Sequence, residues 1–170
     1  MDVMMPQSGF KLNRILFFFV MTLIASCQNQ VEKDPSKWAW LVAPEDKILV
    51  RLAINDEDQQ RGFSGTRDDQ WPDEHGMLFI FEEDGQRGFW MPDTYFDLDL
   101  FYLDASFKII DVERKVPHFI GRFPEERIPR ARIVWARHVL ELKSKSKTAA
   151  KLKVGDQLRL ESPKIPPQIK

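Results

Sequence analysis

The sequence predicts a mostly β domain (β-rich α+β), a compact antiparallel barrel or sandwich of about seven strands with one or two short helices. Three observations predict this class. Apolar and polar residues alternate with a period of two in several segments, as they do in half-buried strands. Turn-forming Gly, Pro, Asn and Asp separate those segments. The 170 residues include 13 Phe and 5 Trp, and aromatic side chains favour strands.

The first predicted elements lie between residues 38 and 81. Trp38 and Trp40, with Ala39 and Leu41, either form a first edge strand or pack over the rim of the domain. Residues 47–54 (KILVRLAI) alternate and predict a half-buried strand, after which Asn55-Asp56 can cap a short helix at residues 57–63. Residues 77–81 (MLFIF) are apolar on both faces, which predicts a central and fully covered strand.

The later elements follow a series of turns. Asp84-Gly85 predicts a hairpin, and Pro92 ends its returning strand at residues 89–91 because proline cannot donate to the ladder. Residues 96–104 predict a strand that has Phe96, Leu98, Leu100 and Tyr102 on one face and Asp97, Asp99, Phe101 and Leu103 on the other. The remaining predictions are strands at 107–114, 133–142 and 157–161, a long irregular loop at 115–132 and a short helix within 144–152.

The N-terminus has the pattern of an export signal. Lys11 and Arg14 precede eleven apolar or small residues, 15–25 (ILFFFVMTLIA), which are too few for a spanning helix. The following Ser26-Cys27 completes a segment, LIASC, that resembles the lipobox of bacterial lipoproteins, in which the cysteine is acylated after cleavage. We therefore expect a lipoprotein-type signal peptide at 1–26, a tether at 27–46, one β-rich domain at 47–162 and a Pro-rich tail at 163–170.

The charge balance and the composition argue against several classes of function. Without residues 1–26, which contain Lys11, Arg14 and Asp2, the chain keeps 23 basic and 25 acidic side chains, a net charge of −2. This balance predicts no nucleic-acid partner, since such proteins usually carry a basic footprint. The three histidines, His75, His118 and His138, lack metal-ligand spacing, so no metal and no cofactor is predicted. One cysteine cannot form an internal disulfide.

Seven sequence blocks resemble the domain of unknown function 192 (DUF192) family. The family pattern runs from Arg-Gly through Gly-Met-Leu-Phe and Phe-Trp-Met-Lys-Asn-Thr to Pro-Leu-Asp, a Val-Leu-Glu-Leu strand and a late Gly-Asp. The resemblance covers residues 47–161 and implies a compact, mostly β domain with short helices, without an activity to transfer. Pro92-Asp93 and Asp97 depart from the usual Lys-Asn and Pro. The matching positions are Arg61-Gly62, residues 76–79, residues 89–91, Thr94, Leu98-Asp99, residues 139–142 and Gly155-Asp156.

The candidate ligand site lies in the same segment. Asp97 and Asp99 share a strand face with Cα atoms about 6.6 Å apart, and Asp93 lies just upstream. Three interpretations remain open: an Asp99–Arg61 ion pair that is purely structural, a ligand site, or a catalytic acid pair. Trp90 either fills the core or lies beside the carboxylates, where it would suit a sugar ring or an organic cation. The predicted ligand-binding residues are Arg61, Trp90, Asp93, Thr94, Asp97 and Asp99.

These features predict a protein held on a membrane through a lipid at Cys27, in the bacterial envelope and on the periplasmic side of the outer membrane. The expected role is a non-catalytic module that binds a small-molecule or glycan ligand. Two alternatives remain: a carboxylate-dependent hydrolase of envelope sugars, and an assembly factor that contacts other envelope proteins. The sequence leaves open whether the protein is an enzyme.

Overall fold

The structure is a computed structural model, and it describes residues 34–161 of the chain. This range contains nine strands and two short α-helices. The predicted signal peptide with Cys27, and the predicted tail from residue 163, lie outside the described residues. Short 3-10 turns occur at Pro35–Lys37, Asp68–Gln70 and Glu125–Arg127. The strands and helices are β1 Trp38–Val42, β2 Lys47–Ala53, α1 Asp56–Arg61, β3 His75–Phe79, β4 Gly85–Arg87, β5 Leu98–Leu103, β6 Ile109–Val116, β7 Val134–Ala136, β8 His138–Lys143, α2 Lys147–Lys151 and β9 Arg159–Glu161.

Seven of the strands form one curled sheet, in the order β6-β5-β8-β3-β2-β1-β9, and the sheet makes a half-barrel. Its two ends approach each other, because the Ile109 amide donates to the Asp156 carbonyl over 2.9 Å and the Leu158 amide donates to the Phe107 carbonyl over 3.0 Å. Strands β4 and β7 form a second, two-stranded sheet. The mostly β prediction, with two short helices, is confirmed.

Both faces of the large sheet are covered, as the alternating strands require. One face packs Phe101, Leu140 and Leu142 with Ala149 and Leu152 from the region of α2. The opposite face, here called the site face, carries Phe79, Leu98 and Val139, and it is covered by Phe63, Met91 and other residues of the loops. The predicted division of residues 96–104 is confirmed, since Leu98 and Leu100 lie on the site face and Phe101 and Leu103 on the other.

The predicted central strand is β3, which pairs with β8 on one side and with β2 on the other. Its pairing with β2 is parallel, an exception to the antiparallel expectation, and α1 lies on the crossover between the two strands. Asn55 caps α1 as predicted, because its side-chain oxygen accepts a hydrogen bond of 2.8 Å from the Asp58 amide.

Two local predictions are wrong. The turn at Asp84-Gly85 does not close a hairpin; residues of β4 pair instead with β7, with Gln86 opposite Trp135. The strand predicted at residues 133–142 is broken at Arg137 into β7 and β8, so Ala136 packs on the site face and Leu140 on the other. At the break, the Arg137 amide donates to the Leu103 carbonyl over 2.9 Å, and the Arg137 side chain binds Asp84 over 2.6 Å.

Candidate functional site

A cavity of about 350 Å³ opens on the site face of the sheet. Its first wall is α1 with the turn that follows it (residues 56–64), and its second wall is formed by residues 86–94. Three strands supply the base through Phe79, Leu98 and Glu141. These three residues are buried, whereas Asp56, Gln60, Arg61, Gln86 and Trp90 are exposed and mark the mouth.

The first wall is fixed to the sheet by side chains of α1. The Gln59 amide nitrogen donates to the Ile80 carbonyl at the end of β3, over 2.8 Å. Arg61 donates to Asp58 over 2.8 Å, which holds its guanidinium at the last turn of the helix. Gly62 then has φ of +48°, a backbone conformation that L side chains rarely adopt, and the chain turns across the mouth.

The second wall is one side of a two-stranded ribbon formed by residues 85–94 and 119–136. The Met91 amide donates to the Pro129 carbonyl over 3.1 Å, and the Asp93 amide donates to the Gly121 carbonyl over 2.6 Å. Asp93 has φ of +52°, which Asp and Asn tolerate better than most residues, and its carbonyl accepts from the Gly65 amide over 2.8 Å. Asp93 is therefore the corner where the two walls meet.

Glu141 is the distinctive residue of the base. It is 3 % exposed, and its neighbours on the adjoining strands are Met77 and Leu100, both apolar. Within residues 34–161, no hydrogen bond or ion pair links its carboxyl group to another residue. Burial therefore raises the pKa of Glu141 to about 8, so at neutral pH the group is largely an uncharged acid that can donate a hydrogen bond.

The mouth, in contrast, carries positive charge. Arg61 lies at the mouth with one carboxylate, Asp56, and the half-buried Arg87 lines the cavity next to Gln86. The Arg87 guanidinium lies 3.7 Å from the centre of the Phe81 ring and donates to the Glu83 carbonyl, and its Nε is buried without a hydrogen-bond partner. Burial, and then the nearby Arg137, lower the pKa of Arg87, although a guanidinium remains protonated at any physiological pH.

The negative charge nearest to Arg61 is already compensated. Asp58 is 5 % exposed and accepts hydrogen bonds of 2.8 Å from Arg51 and from Arg61, with Lys37 at 3.4 Å. Burial alone would raise the pKa of Asp58, but the charges of Arg51 and Lys37 hold it below its ordinary value. Asp58 therefore holds Arg61, the cation of this wall, in place.

The six predicted ligand-binding residues divide into two groups. Arg61, Trp90 and Thr94 line the cavity, whereas Asp93, Asp97 and Asp99 are absent from its lining. Trp90 is 42 % exposed at the mouth and Met91 is 1 % exposed in the core, which settles which of the pair faces inward.

The expected Asp99–Arg61 pair is not formed. Asp99 is 3 % exposed and binds Arg114 over 2.6 Å, Ser144 over 2.7 Å and the Lys115 amide over 2.9 Å. Arg61 is instead bound to Asp58.

Asp97 lies beside His118. Its carboxylate is 2.6 Å from the His118 ring and 2.9 Å from the His118 amide. The hydrogen bond from the ring and then that from the amide lower the pKa of Asp97.

Two lining residues were missed by the sequence analysis, Glu141 and Arg87. A signal for Glu141 was present: it is the single charged residue in residues 139–142 (VLEL), where a fully covered strand would carry none. Arg87 had no such signal, because its position depends on the pairing of β4 with β7.

No metal cluster and no membrane-spanning helix is found in the described part of the chain. Residues 34–161 contain no group of three or more His, Cys, Asp or Glu arranged to hold a metal ion. Within the same range, no helix has the length and hydropathy that crossing a membrane requires.

Comparison with other proteins gives a family and two structural neighbours. A candidate transcription regulator from Sinorhizobium meliloti is 28% identical with a TM-score of 0.56, over 72% of this chain and 92% of its own. A protein of unknown function from Novosphingobium aromaticivorans shares the fold at 18% identity and a TM-score of 0.56, over 72% of this chain and 83% of its own. No curated protein matches the chain. The model of DUF192, described as an uncharacterized ACR, matches residues 41–160, and the chain therefore belongs to the DUF192 family.

Proposed function

We propose that this protein is a membrane-anchored module of the cell envelope that binds a small ligand, without catalysing its conversion, in the cavity above Glu141. The observation that carries the proposal is an acid at the base of an open cavity, Glu141, whose side chain is 3 % exposed and whose carboxyl group has no hydrogen-bond partner within residues 34–161. A buried acid that only served folding would be expected to have a hydrogen bond or a counter-charge, because a buried polar group without one is unfavourable by roughly 1–3 kcal/mol. A ligand can supply the missing partner.

The shape and composition of the cavity support this role. Its volume of about 350 Å³ lies at the lower end of the range for small-molecule sites, roughly 300–1,000 Å³. Four aromatic rings supply flat apolar surfaces, and Glu141 and Arg87 supply a few polar groups; the rings belong to Phe79 at the base and to Phe81, Phe89 and Trp90. Apolar walls with few polar groups are typical of sites that bind organic molecules.

A ligand screen tests the binding role. We expect fragments that bind to perturb the NMR signals of Phe79 and Leu98. Trp90→Ala should weaken these fragments about tenfold or more, since it removes an aromatic contact. Trp135→Ala is the matched control, because Trp135 is a 65 % exposed tryptophan outside the lining. Equal losses in both variants, or no fragment near Phe79, would refute the binding site.

The two residues that the alternative hydrolase hypothesis required do not line this cavity. That hypothesis required Asp97 and Asp99 side by side in a cleft, whereas they bind His118 and Arg114. The carboxylates in the lining are Asp56 and Glu141, and Asp56 is exposed at the mouth. A hydrolase of envelope sugars would therefore have to use a different pair from the one predicted.

The envelope location rests on the N-terminal sequence. Lys11 and Arg14, the apolar residues 15–25 and Cys27 have the order of a lipoprotein signal. With acylation at Cys27, six residues would separate the anchor from Asp34, so the domain would stay close to the bilayer, about 20 Å of extended chain away. Gln28, which follows the cysteine, favours the outer membrane over the inner one.

Metabolic labelling with a fatty-acid probe in a bacterial host tests the anchor. We expect the wild-type chain to be labelled and Cys27→Ser to be unlabelled. Cys27 is the single cysteine of the chain, so no other thiol could carry the probe. Equal labelling of the two proteins would contradict acylation at Cys27.

The outer side of the ribbon favours a second candidate function, contact with another envelope protein. Ile120, Phe123, Ile133 and Trp135 are 64, 84, 68 and 65 % exposed. Aromatic residues such as Phe123 and Trp135 are enriched at protein interfaces. A photo-crosslinking residue at position 123 should give a discrete adduct in whole cells, and one at Val154, an exposed apolar residue elsewhere, should give none. Identical adduct patterns at both positions would refute a specific contact.

A further inference from the structure

We propose that the ligand of this cavity is a small organic anion, with a carboxylate held at the mouth by Arg61 and Arg87 and an oxygen at its far end that accepts a hydrogen bond from Glu141. The inference rests on the proposed function, because it assigns a chemical class to the ligand of the same cavity.

The charges at the mouth favour an anion over a cation. Arg61 and Arg87 line the cavity against one carboxylate, Asp56, and the buried Asp58 behind them is already bound to Arg51 and Arg61. A carboxylate that enters between the two arginines gains charge-assisted hydrogen bonds, whereas an ammonium group would meet like charges.

Arg87 is held in place for such a contact. Its guanidinium stacks on Phe81 and donates to the Glu83 carbonyl. Because these contacts fix the side chain before a ligand arrives, little conformational entropy remains to be lost on binding. Arg61 is fixed in a similar way by its hydrogen bond of 2.8 Å to Asp58.

The base of the cavity requires a different group from the mouth. Glu141 is 3 % exposed between Met77 and Leu100, and its raised pKa leaves an uncharged acid at neutral pH. An ammonium group at the base would have to ionise this acid against its desolvation. An ether, carbonyl or hydroxyl oxygen can accept the acid's hydrogen without any change of charge.

Other titratable groups surround Glu141 and enter the pH dependence. Across the cavity these are Asp56 and Arg61 from α1 and Arg87 from β4. Tyr102 of β5 lies nearby, and its hydroxyl donates to the Arg132 carbonyl over 3.0 Å. Burial raises the pKa of Tyr102 above its ordinary value, and a guanidinium group does not titrate in proteins. A change in affinity between pH 7 and pH 9 would therefore report on Glu141.

Three probes with one aromatic skeleton test the class: 4-hydroxyphenylacetate, tyramine and phenylacetate. Each is titrated by calorimetry into the full chain in lipid nanodiscs. We expect 4-hydroxyphenylacetate to bind at least tenfold more tightly than tyramine, which carries an ammonium group in place of the carboxylate. Phenylacetate, which lacks the far oxygen, should bind about threefold to tenfold more weakly than 4-hydroxyphenylacetate.

The pH profile and three variants complete the test. Affinity for 4-hydroxyphenylacetate should hold at pH 7 and fall as pH rises through about 8, where Glu141 loses its proton. Glu141→Gln, which keeps an uncharged donor, should bind at pH 7 and lose that pH dependence. Arg87→Gln should weaken binding about tenfold, and Arg159→Gln, an exposed arginine on β9, is the control that should not.

The outcomes separate this inference from the proposed function. Tighter binding of tyramine, with an affinity that rises with pH, would overturn the anion class and leave a binding cavity in place. No binding of any of the three probes, in a protein whose cavity takes fragments from the broader screen, would also overturn the class. A cavity that takes neither the probes nor any fragment would overturn the proposed function itself.

Discussion

Replacing Glu141 by glutamine should remove a large pH dependence of stability. The ordinary pKa of a glutamate is 4.5, and burial raises that of Glu141 to about 8. The unfolded chain therefore releases this proton from about pH 4.5 upward, while the folded chain keeps it until about pH 8. The free energy of unfolding should fall by about 1.4 kcal/mol per pH unit across that window and change no further above it, a total of about 5 kcal/mol.

Chemical denaturation of the wild type and of Glu141→Gln between pH 4 and pH 9 measures this effect. Glutamine has the same shape and does not titrate, so the difference between the two proteins isolates the Glu141 contribution. The wild type should be comparable in stability to the variant at pH 4 and less stable by a few kcal/mol at pH 8. The control is Glu126→Gln, at an exposed glutamate of the ribbon, which should leave the pH profile unchanged. Parallel profiles for the wild type and Glu141→Gln would refute the argument that this acid is buried and unpaired.

Three further substitutions test other parts of the structure. Lys143 is fully buried and its ammonium donates to the Trp71 carbonyl over 2.6 Å, so Lys143→Met should lower the free energy of unfolding by about 1–3 kcal/mol and speed hydrogen exchange in residues 68–73. Asp99→Asn should lower it by about 1–3 kcal/mol, because charge-assisted hydrogen bonds are lost, whereas Asp97→Asn at a half-exposed site should change it by less than about 1 kcal/mol. Phe79→Ala should lower it by about 3–5 kcal/mol, and a loss below about 1 kcal/mol would contradict its burial.

Local patterns predicted most of the strands correctly. The alternation in residues 47–54 and 96–104 reports directly which side chains are covered, and β2 and β5 follow it. The apolar run from residue 77 similarly indicated β3, which is covered on both faces. These signals lie within a few neighbouring residues, so a single sequence contains them.

Those local patterns could not predict which distant segments of the chain pair with each other. The turn at Asp84-Gly85 has the composition of a hairpin, but β4 is closer in the fold to β7, about fifty residues further along the chain. The break at Arg137 is not visible in the alternation of residues 133–142 either, because β7 pairs with β4 whereas β8 pairs with β3 and β5. Long-range pairing decides both features.

The candidate site was predicted in part for the same reason. Arg61, Trp90 and Thr94 belong to the segments that form the walls, and they line the cavity. Asp97 and Asp99 were expected to share a strand face at the site, but Asp97 precedes β5 and neither residue lines the cavity. Asp97 is bound by His118, and Asp99 is bound by Arg114 and Ser144. Glu141, the acid of the base, comes from β8, more than forty residues after Asp97 and Asp99 in the chain. The sequence showed that Glu141 belongs to an apolar strand, but it did not show which residues surround it.

A ¹³C NMR titration of the Glu141 carboxyl group, with and without 4-hydroxyphenylacetate, examines the buried acid and its ligand in one experiment. We expect the free protein to show a Glu141 pKa near 8. Saturating ligand should move it higher, because a ligand that accepts the acid's hydrogen stabilises the protonated form. A Glu141 pKa near 4.5 in the free protein, or one that no cavity ligand changes, would contradict the proposed site.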